Sequence, residues 1–163
     1  MPLERLKREI LQSRDDRQQE IDRLAQCGKT LVSLSANIPG DYKKPEGFRP
    51  IFAHVCGLVK ESAELVYTCD DALGPFALFL SETPQTELKR AMIAIENMHA
   101  WGRLTDIDVY DDAGQPISRA SIGFEERGCL ICSDTAKSCI KAGRHSMKDL
   151  MRAVNDIIDR YHC

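Results

Sequence analysis

Between Lys29 and Asp111 the apolar residues switch period repeatedly, and that alternation limits the possible architecture more than any other feature. In a strand, residues two apart share a face; in a helix, residues three and four apart do. "KTLVSLSAN" alternates, with Val32, Leu34 and Ala36 on one side and Ser33, Ser35 and Asn37 on the other. "IPGDYKKPEG" is a loop by its Pro and Gly content. "FRPIFAHVCGLVKESA" has helical spacing, with Phe52, Val55, Cys56 and Val59 inward. "ELVYTC" and "PFALFLSE" are strands joined by "DDALG" as a hairpin. Thr83 reads as an N-cap, with Pro84 opening a helix that runs to about His99 and turns Leu88, Met92 and Ile95 inward. "LTDIDVYD" is the last strand. The order β-α-β-β-α-β predicts an α+β fold around a ferredoxin-like, split βαβ sheet, with the last strand beside the first.

The flanks are helical. Over residues 2–26, Leu3, Leu6, Ile10, Ile21 and Leu24 keep helical spacing, but the same stripe passes over Arg14 and Arg17. Either the two arginines snorkel to water, or the helix lines a pocket that needs cations. Near the other end, Ser146 and Asp149 form a capping-box-like start to a helix carrying Met147, Leu150, Met151, Val154, Ile157, Ile158 and Tyr161 on one face. A length of 163 residues suits a single domain. We expect an α/β core at about 28–112 and a Cys-rich segment plus helix at about 127–163.

A net charge of -3 argues against a generic nucleic-acid binder. No apolar run reaches membrane-spanning length, and the charge-rich N-terminus lacks the apolar region of a secretory signal. Seven cysteines in such a chain read as reduced thiols or metal ligands of a cytoplasmic protein.

The chemistry concentrates in two places. Asp106 and Asp108 share one strand face, while Ile107 and Val109 point the other way. Two adjacent carboxylates favour a cation, and Mg²⁺ takes one or two carboxylates and fills its shell with water and phosphate oxygens. By itself a D-x-D pair is more often a solvated strand face or a turn-entry cluster. Gly102-Arg103 precedes the pair, Ser118-Arg119 follows, and Lys43 lies in the Pro-Gly loop. Arginine forks suit phosphate. The second place is Cys129, Cys132, Cys139 and His145, a C-x2-C-x6-C-x5-H pattern. It can complete a tetrahedral structural zinc set, or be a reduced, partly buried thiol cluster. Cys27, Cys56, Cys69 and Cys163 show no ligand spacing, and His54 and His162 belong to ordinary helices.

Taken in order, "SRDDRQ" (13–18), "PGDYK" (39–43), "HAWGRLTDIDV" (99–109), "ISR" (117–119) and "CLIC…C…H" (129–145) resemble the citrate lyase holo-acyl-carrier-protein synthases. These are also called apo-citrate lyase phosphoribosyl-dephospho-CoA transferases. The resemblance runs from about Ile10 to Leu150. It departs from the family pattern at Ala100-Trp101 (usually Pro-Leu), at Gly128 (usually Arg), at Ile140-Lys141 (usually Ala-Arg) and near Ile21 (usually a glutamine).

The resemblance implies a nucleotidyltransferase-type reaction. Phosphoribosyl-dephospho-CoA passes from its triphosphoribosyl precursor to a serine of the citrate lyase acyl carrier protein, and pyrophosphate is released. It implies Asp106 and Asp108 as Mg²⁺ ligands, with Arg103 and Arg119 as the charge-stabilising groups. Substrate contacts would come from Arg14, Arg17, Asn37, Gly40, Lys43, His99 and Gly102, with His99 as base or as support for the Gly-Arg turn. Carrier proteins are usually acidic, so Lys137, Lys141, Arg144 and Lys148 form either a docking patch or an ordinary soluble surface. No nucleic-acid or membrane partner is expected. The rival readings are a zinc-binding interaction module and another metal-dependent D-x-D nucleotidyl or glycosyl transferase.

Overall fold

The computed structural model describes residues 2–40 and 43–162, with side chains from Glu4 onward. Asp41 and Tyr42 of the Pro-Gly loop, and Cys163, lie outside the described residues. In chain order the elements are α1 (Pro2–Ala25), β1 (Thr30–Ala36), α2 (Phe48–Val59), β2 (Glu64–Asp71), β3 (Gly74–Ser81), α3 (Gln85–Met98), β4 (Thr105–Val109), α4 (Ala136–Ala142) and α5 (Met147–His162). Short 3₁₀ turns span Ala100–Leu104 and Ala120–Ile122. The strands form one antiparallel sheet in the order β2-β3-β1-β4. The last strand lies beside the first, as its sequence position predicts.

The alternation in β1 sorts its residues between two cores. Val32 and Leu34 join Ala77, Phe79, Ile107 and Val109 under α2, α3 and α5 in the main core. Leu31 faces the other way, with Phe76, Leu78 and Tyr110, and packs against Ile21 and Leu24 of α1. The reverse face is therefore not simply a polar patch. α1 covers part of it, and the polar part is the strip where Ser33 pairs with Asp108 and Ser35 with Asp106. Ser33 is buried and its hydroxyl meets the Tyr110 hydroxyl at 3.1 Å.

α1 is held by an ion pair. Its inward stripe is Ser13, Arg17, Ile21 and Leu24, all buried, whereas Arg14 points to solvent. Arg17 Nε and Nη2 donate to the two oxygens of Asp71 at 2.8 and 2.7 Å. Nη2 also donates to the Gly74 carbonyl, and the guanidinium lies 4.4 Å from the Phe76 ring centroid. Arg17 thus anchors α1 to the β2-β3 hairpin. Burial alone would raise the Asp71 pKa, but the bonds from Arg17 and the Leu73 N–H outweigh it and hold the carboxyl below its ordinary value.

β4 is an outer strand, and its open edge is closed by side chains. The Ile107 N–H donates to Glu96 at 2.9 Å and the Ile107 carbonyl accepts from Lys89 at 3.0 Å. The Thr105 carbonyl accepts from Arg127, and the Val109 carbonyl accepts the Ile117 N–H. This satisfies backbone groups that would otherwise offer a strand-pairing edge.

Three boundaries differ from expectation. The α3 cap is Pro84 rather than Thr83: the Pro84 carbonyl accepts the Leu88 N–H, and the Thr83 carbonyl is taken by the Thr30 hydroxyl. α4, a short helix capped by Thr135, lies within the Cys-rich segment and adds to the helix placed after it. In α5, Val154 and Ile158 are buried, but Met147 is 51% exposed because it lies over Gly40 instead of the core. The Ser146 cap forms as expected, its hydroxyl accepting the Asp149 N–H.

Arg17→Ala should lower unfolding free energy by about 2–3 kcal/mol, the scale of losing charge-assisted bonds to a largely buried partner. Because the folded Asp71 pKa lies below the unfolded one, the pair stabilises above the unfolded value, and that contribution is lost as pH falls through the folded value. Urea unfolding should therefore show the wild-type and variant curves converging below about pH 3.9.

Candidate active site

The site is built around a carboxylate almost out of water. Glu96 sits on the inward side of α3 at 3% exposure. A buried charge of that kind persists only with cations and donors around it. Arg119 Nη2 donates to Glu96 Oε2, and Arg127 Nη2 donates to Glu96 Oε1. The same Arg127 nitrogen reaches Asp106 Oδ1 at 3.0 Å. Arg127 therefore bridges the buried carboxylate of α3 and the half-exposed one of β4. Lys89, 4% exposed, lies 3.6 Å from Asp108 Oδ1.

Asp106 and Asp108 project from the same face of β4, in line with their spacing. Burial, followed by the negative charge of Asp106, pushes the Asp108 pKa up despite Lys89. Each carboxylate meets one cation, Arg127 at Asp106 and Lys89 at Asp108, and each keeps part of its side chain exposed.

Arg103 reaches this region through a tight turn. The Gly102 N–H bonds the His99 carbonyl at 3.0 Å, and a Cβ at Gly102 would collide with the Glu96 backbone. Glycine is what lets the turn lie flat on the end of α3. Asn37 ties down the next residues: its N–H donates to the Leu104 carbonyl and its side-chain amide to the Arg103 carbonyl. Arg103 Nη2 donates to the Gly128 carbonyl, while its buried Nε has no hydrogen-bond partner among the described residues. Burial, then the charge of Arg127, lowers the Arg103 pKa. A crowded guanidinium with an unused donor has the charge and the hydrogen-bonding capacity that suit an anion.

Two clefts meet at this arginine. The larger, about 480 Å³, is lined by Asn37, Gly40, Lys43, Arg103, Arg127 and Gly128 with apolar neighbours that include Ile38, Leu130 and Met147. Lys43 donates to the Ile38 carbonyl at its edge. The smaller, about 280 Å³, is lined by Arg103, Arg119, Arg127 and Phe124 among others. Arg103, Arg127 and Gly128 form the wall that both share.

The structure thus brings Asn37, Gly40, Lys43 and Arg103 to one cleft, and Arg103 and Arg119 to the other. Asp106 and Asp108 line neither cleft; Asp106 joins the wall through Arg127, whereas Asp108 faces Lys89. Arg14 and Arg17 are elsewhere, on α1, and line neither cleft. His99 is exposed, with its ring 5.1 Å from that of Trp101, and it also lines neither. Its backbone carbonyl accepts the Gly102 N–H, a contact that any residue at this position offers. Sequence reasoning missed Lys89, Glu96 and Arg127. For Lys89 and Glu96 a signal exists: they are seven residues apart, on the buried side of α3 with Leu88, Met92 and Ile95.

The cysteine segment borders the larger cleft. A bridge between Gly128 and Thr135 and the bond from the Cys129 N–H to the Asp134 carbonyl close a tight loop. α4 follows and ends at Gly143. This path brings one ligand atom each from Cys129, Cys132, Cys139 and His145 within 4.8 Å of one another. The Cys132 thiol is pulled down to about 6, chiefly by the Asp134 N–H, and the Cys139 thiol is pushed up to about 12, chiefly by burial.

Comparison with known proteins fits this geometry. The family model described as "Apo-citrate lyase phosphoribosyl-dephospho-CoA transferase" matches residues 6–161. A protein of that name from Citrobacter koseri is 36% identical over 155 residues, covering 88% of this chain and 82% of the relative. Namesakes from Escherichia coli O139:H28 and Shigella boydii serotype 18 are each 33% identical over 163 residues, covering 93% of this chain and 87% of theirs. On sequence extent and on the matched family, the chain belongs to the apo-citrate lyase phosphoribosyl-dephospho-CoA transferases.

Proposed function

We propose that this chain transfers the phosphoribosyl-dephospho-CoA group from 2′-(5″-triphosphoribosyl)-3′-dephospho-CoA to a serine of the citrate lyase acyl carrier protein, with release of pyrophosphate. Family membership supports the reaction. The structural observation that carries its placement is Arg103, with an unused buried donor, in the wall shared by two clefts and next to Arg127 and Arg119. The strand order and the β-α-β-β-α-β succession support reading the core as ferredoxin-like.

In this reading the triphosphate lies along Arg103 and Arg127, with Arg119 behind Glu96. The carrier serine oxygen attacks the α-phosphorus, its proton leaves to solvent, and the α–β anhydride bond breaks to give pyrophosphate. Arg103 and Arg127 hold donors where charge grows on the departing phosphates, an arrangement that catalyses because it is fixed before the reaction. Glu96 keeps Arg127 and Arg119 from swinging away. The apolar stretch of the larger cleft, around Ile38, Leu130 and Met147, suits the less charged part of the dephospho-CoA moiety. Asp106 and Asp108 would hold Mg²⁺, which when bound neutralises phosphate charge and orients the leaving group. Their shared face, their half-exposed side chains and the raised Asp108 pKa fit that role.

The carrier has a suitable landing surface beside the cleft. Ile140 is 81% exposed, and Ile131 and Met147 are also exposed. Lys137 and Lys141 share α4 with Ile140, and Lys148 follows Met147. Exposed apolar groups ringed by lysines fit an acidic partner. No helix of the described residues is long and apolar enough to cross a membrane. The six cysteines among the described residues are free of disulfides, which supports a reducing, cytoplasmic setting.

Intact mass spectrometry of the apo carrier, incubated with this protein, the precursor and Mg²⁺, should show a gain equal to the phosphoribosyl-dephospho-CoA group. Arg103→Ala should cut kcat/KM about 10²–10³-fold, the range for losing one charge-stabilising donor, with Arg103→Lys recovering part of it. Wild-type rates for Arg103→Ala would remove the shared wall from the site.

Asp106→Asn should abolish the Mg²⁺ dependence along with most of the transfer. It also removes a like charge beside Asp108, so the Asp108 carboxyl should titrate at lower pH in this variant, read by carbon NMR. An unchanged Asp108 titration would mean that the two carboxylates do not sense each other. Lys137→Glu combined with Lys141→Glu should raise KM for the carrier about tenfold with kcat kept, the signature of a lost docking charge. An unchanged KM would place docking elsewhere.

A further inference from the structure

We propose that Cys129, Cys132, Cys139 and His145 bind one zinc ion in a closed, structural site, and that this ion fixes the arginine wall of the active site. The inference stands apart from the transfer reaction, because the ligand set would exist whatever the clefts accept.

Four observations carry it. First, the three thiols and the imidazole converge within 4.8 Å although they come from a tight loop, a short helix and the segment after it. Three thiolates and a histidine around one point form a tetrahedral Cys₃His set, and thiolate-rich sets favour zinc over hard cations. Second, His145 Nε2 is buried and has no hydrogen-bond partner among the described residues. A buried imidazole nitrogen left without a partner beside a thiol cluster is a group that a metal satisfies.

Third, the loop supplies the outer contacts that such ligands require. The Ile131 N–H points to Cys129 Sγ at 3.4 Å, and the Cys129 N–H is pinned to the Asp134 carbonyl at 2.7 Å. Asp134 also receives Arg144 at 2.7 Å, and Arg144 directly precedes His145. Three thiolates outweigh the charge of one divalent ion, so a neighbouring cation helps hold the set. Fourth, the alternative covalent link is not made. Cys132 Sγ and Cys139 Sγ are 3.4 Å apart, well beyond the roughly 2.05 Å of a disulfide. A spacing near 3.4 Å is close to what two ligands on one zinc ion require.

The functional consequence lies one residue away. Cys129 follows Gly128, whose carbonyl holds Arg103, and Arg127, whose guanidinium holds both Glu96 and Asp106. An ion on Cys129 ties residues 127–129 to α4 through Cys139 and to the segment before α5 through His145. Without it these residues are held by Leu130 against the core and by the backbone bonds that close the loop.

The test is metal analysis of the full chain purified without chelator under reducing conditions. One zinc per chain is expected, with Cys132→Ser and His145→Ala reduced to a small fraction and Cys27→Ser, an exposed cysteine away from the site, unchanged. Co²⁺ added to the zinc-stripped protein should give the d–d bands of a tetrahedral site and a thiolate-to-metal charge-transfer band, both absent in Cys139→Ser. These readouts need neither carrier nor precursor. A folded, fully reduced wild type that carries no zinc and gives no charge-transfer band with Co²⁺ would overturn the proposal. So would full zinc occupancy in both Cys132→Ser and His145→Ala. Zinc removal should also depress transfer even with Mg²⁺ in excess, which separates the two metals; undiminished transfer by the zinc-free enzyme would overturn the link to the arginine wall.

Discussion

Glu96 is a carboxylate that the fold removes from water, and most of the site follows from how its charge is met. Water cannot solvate it, so the chain brings two arginines and an edge N–H to its oxygens. Those arginines come from the irregular stretch after β4, which touches the main core through Ile117 and Leu130. The buried charge adds a second anchor to that segment, at Arg119 and Arg127. Breaking one partner of such a group is costly because the other is left buried and unpaired. The same cost keeps the arginines in place beside the clefts, so the demand for neutrality inside the fold becomes preorganisation at the surface.

Much of the scaffold is legible in the residue order. Periodicity places all four strands and the four longer helices, α1, α2, α3 and α5, and it puts Asp106 and Asp108 on one face because a strand leaves no alternative. The spacing of Cys129, Cys132, Cys139 and His145 already suggests convergence, and the short helix between them accounts for how it is achieved.

What is not legible depends on long-range pairing. Arg17 stands out on the α1 stripe as a misplaced cation, but spacing cannot say whether it meets a substrate or a carboxylate; its partner, Asp71, lies 54 residues away in a hairpin. Lys89 and Glu96 interrupt an apolar face for a reason that exists only once β4 is known to be the outer strand. Arg127 has no local signature, since its neighbours in sequence are loop residues and its partners come from α3 and β4. The shift of the α3 cap from Thr83 to Pro84 is smaller but similar in kind, because Thr83 is engaged by Thr30 across the sheet.

The closed edge of β4 also limits how this molecule can join others. Its backbone groups are already spent on Glu96, Lys89, Arg127 and Ile117, so no incoming peptide can extend the sheet on that side. The opposite border, β2, carries exposed Glu64, Thr68 and Asp70 and an irregular register between Leu65 and Tyr67, features that discourage pairing there. Recognition of a large acceptor must therefore proceed through side chains and shape rather than by strand exchange. A contact made by side chains alone leaves the hydrogen bonds of the sheet the same whether the acceptor is bound or released.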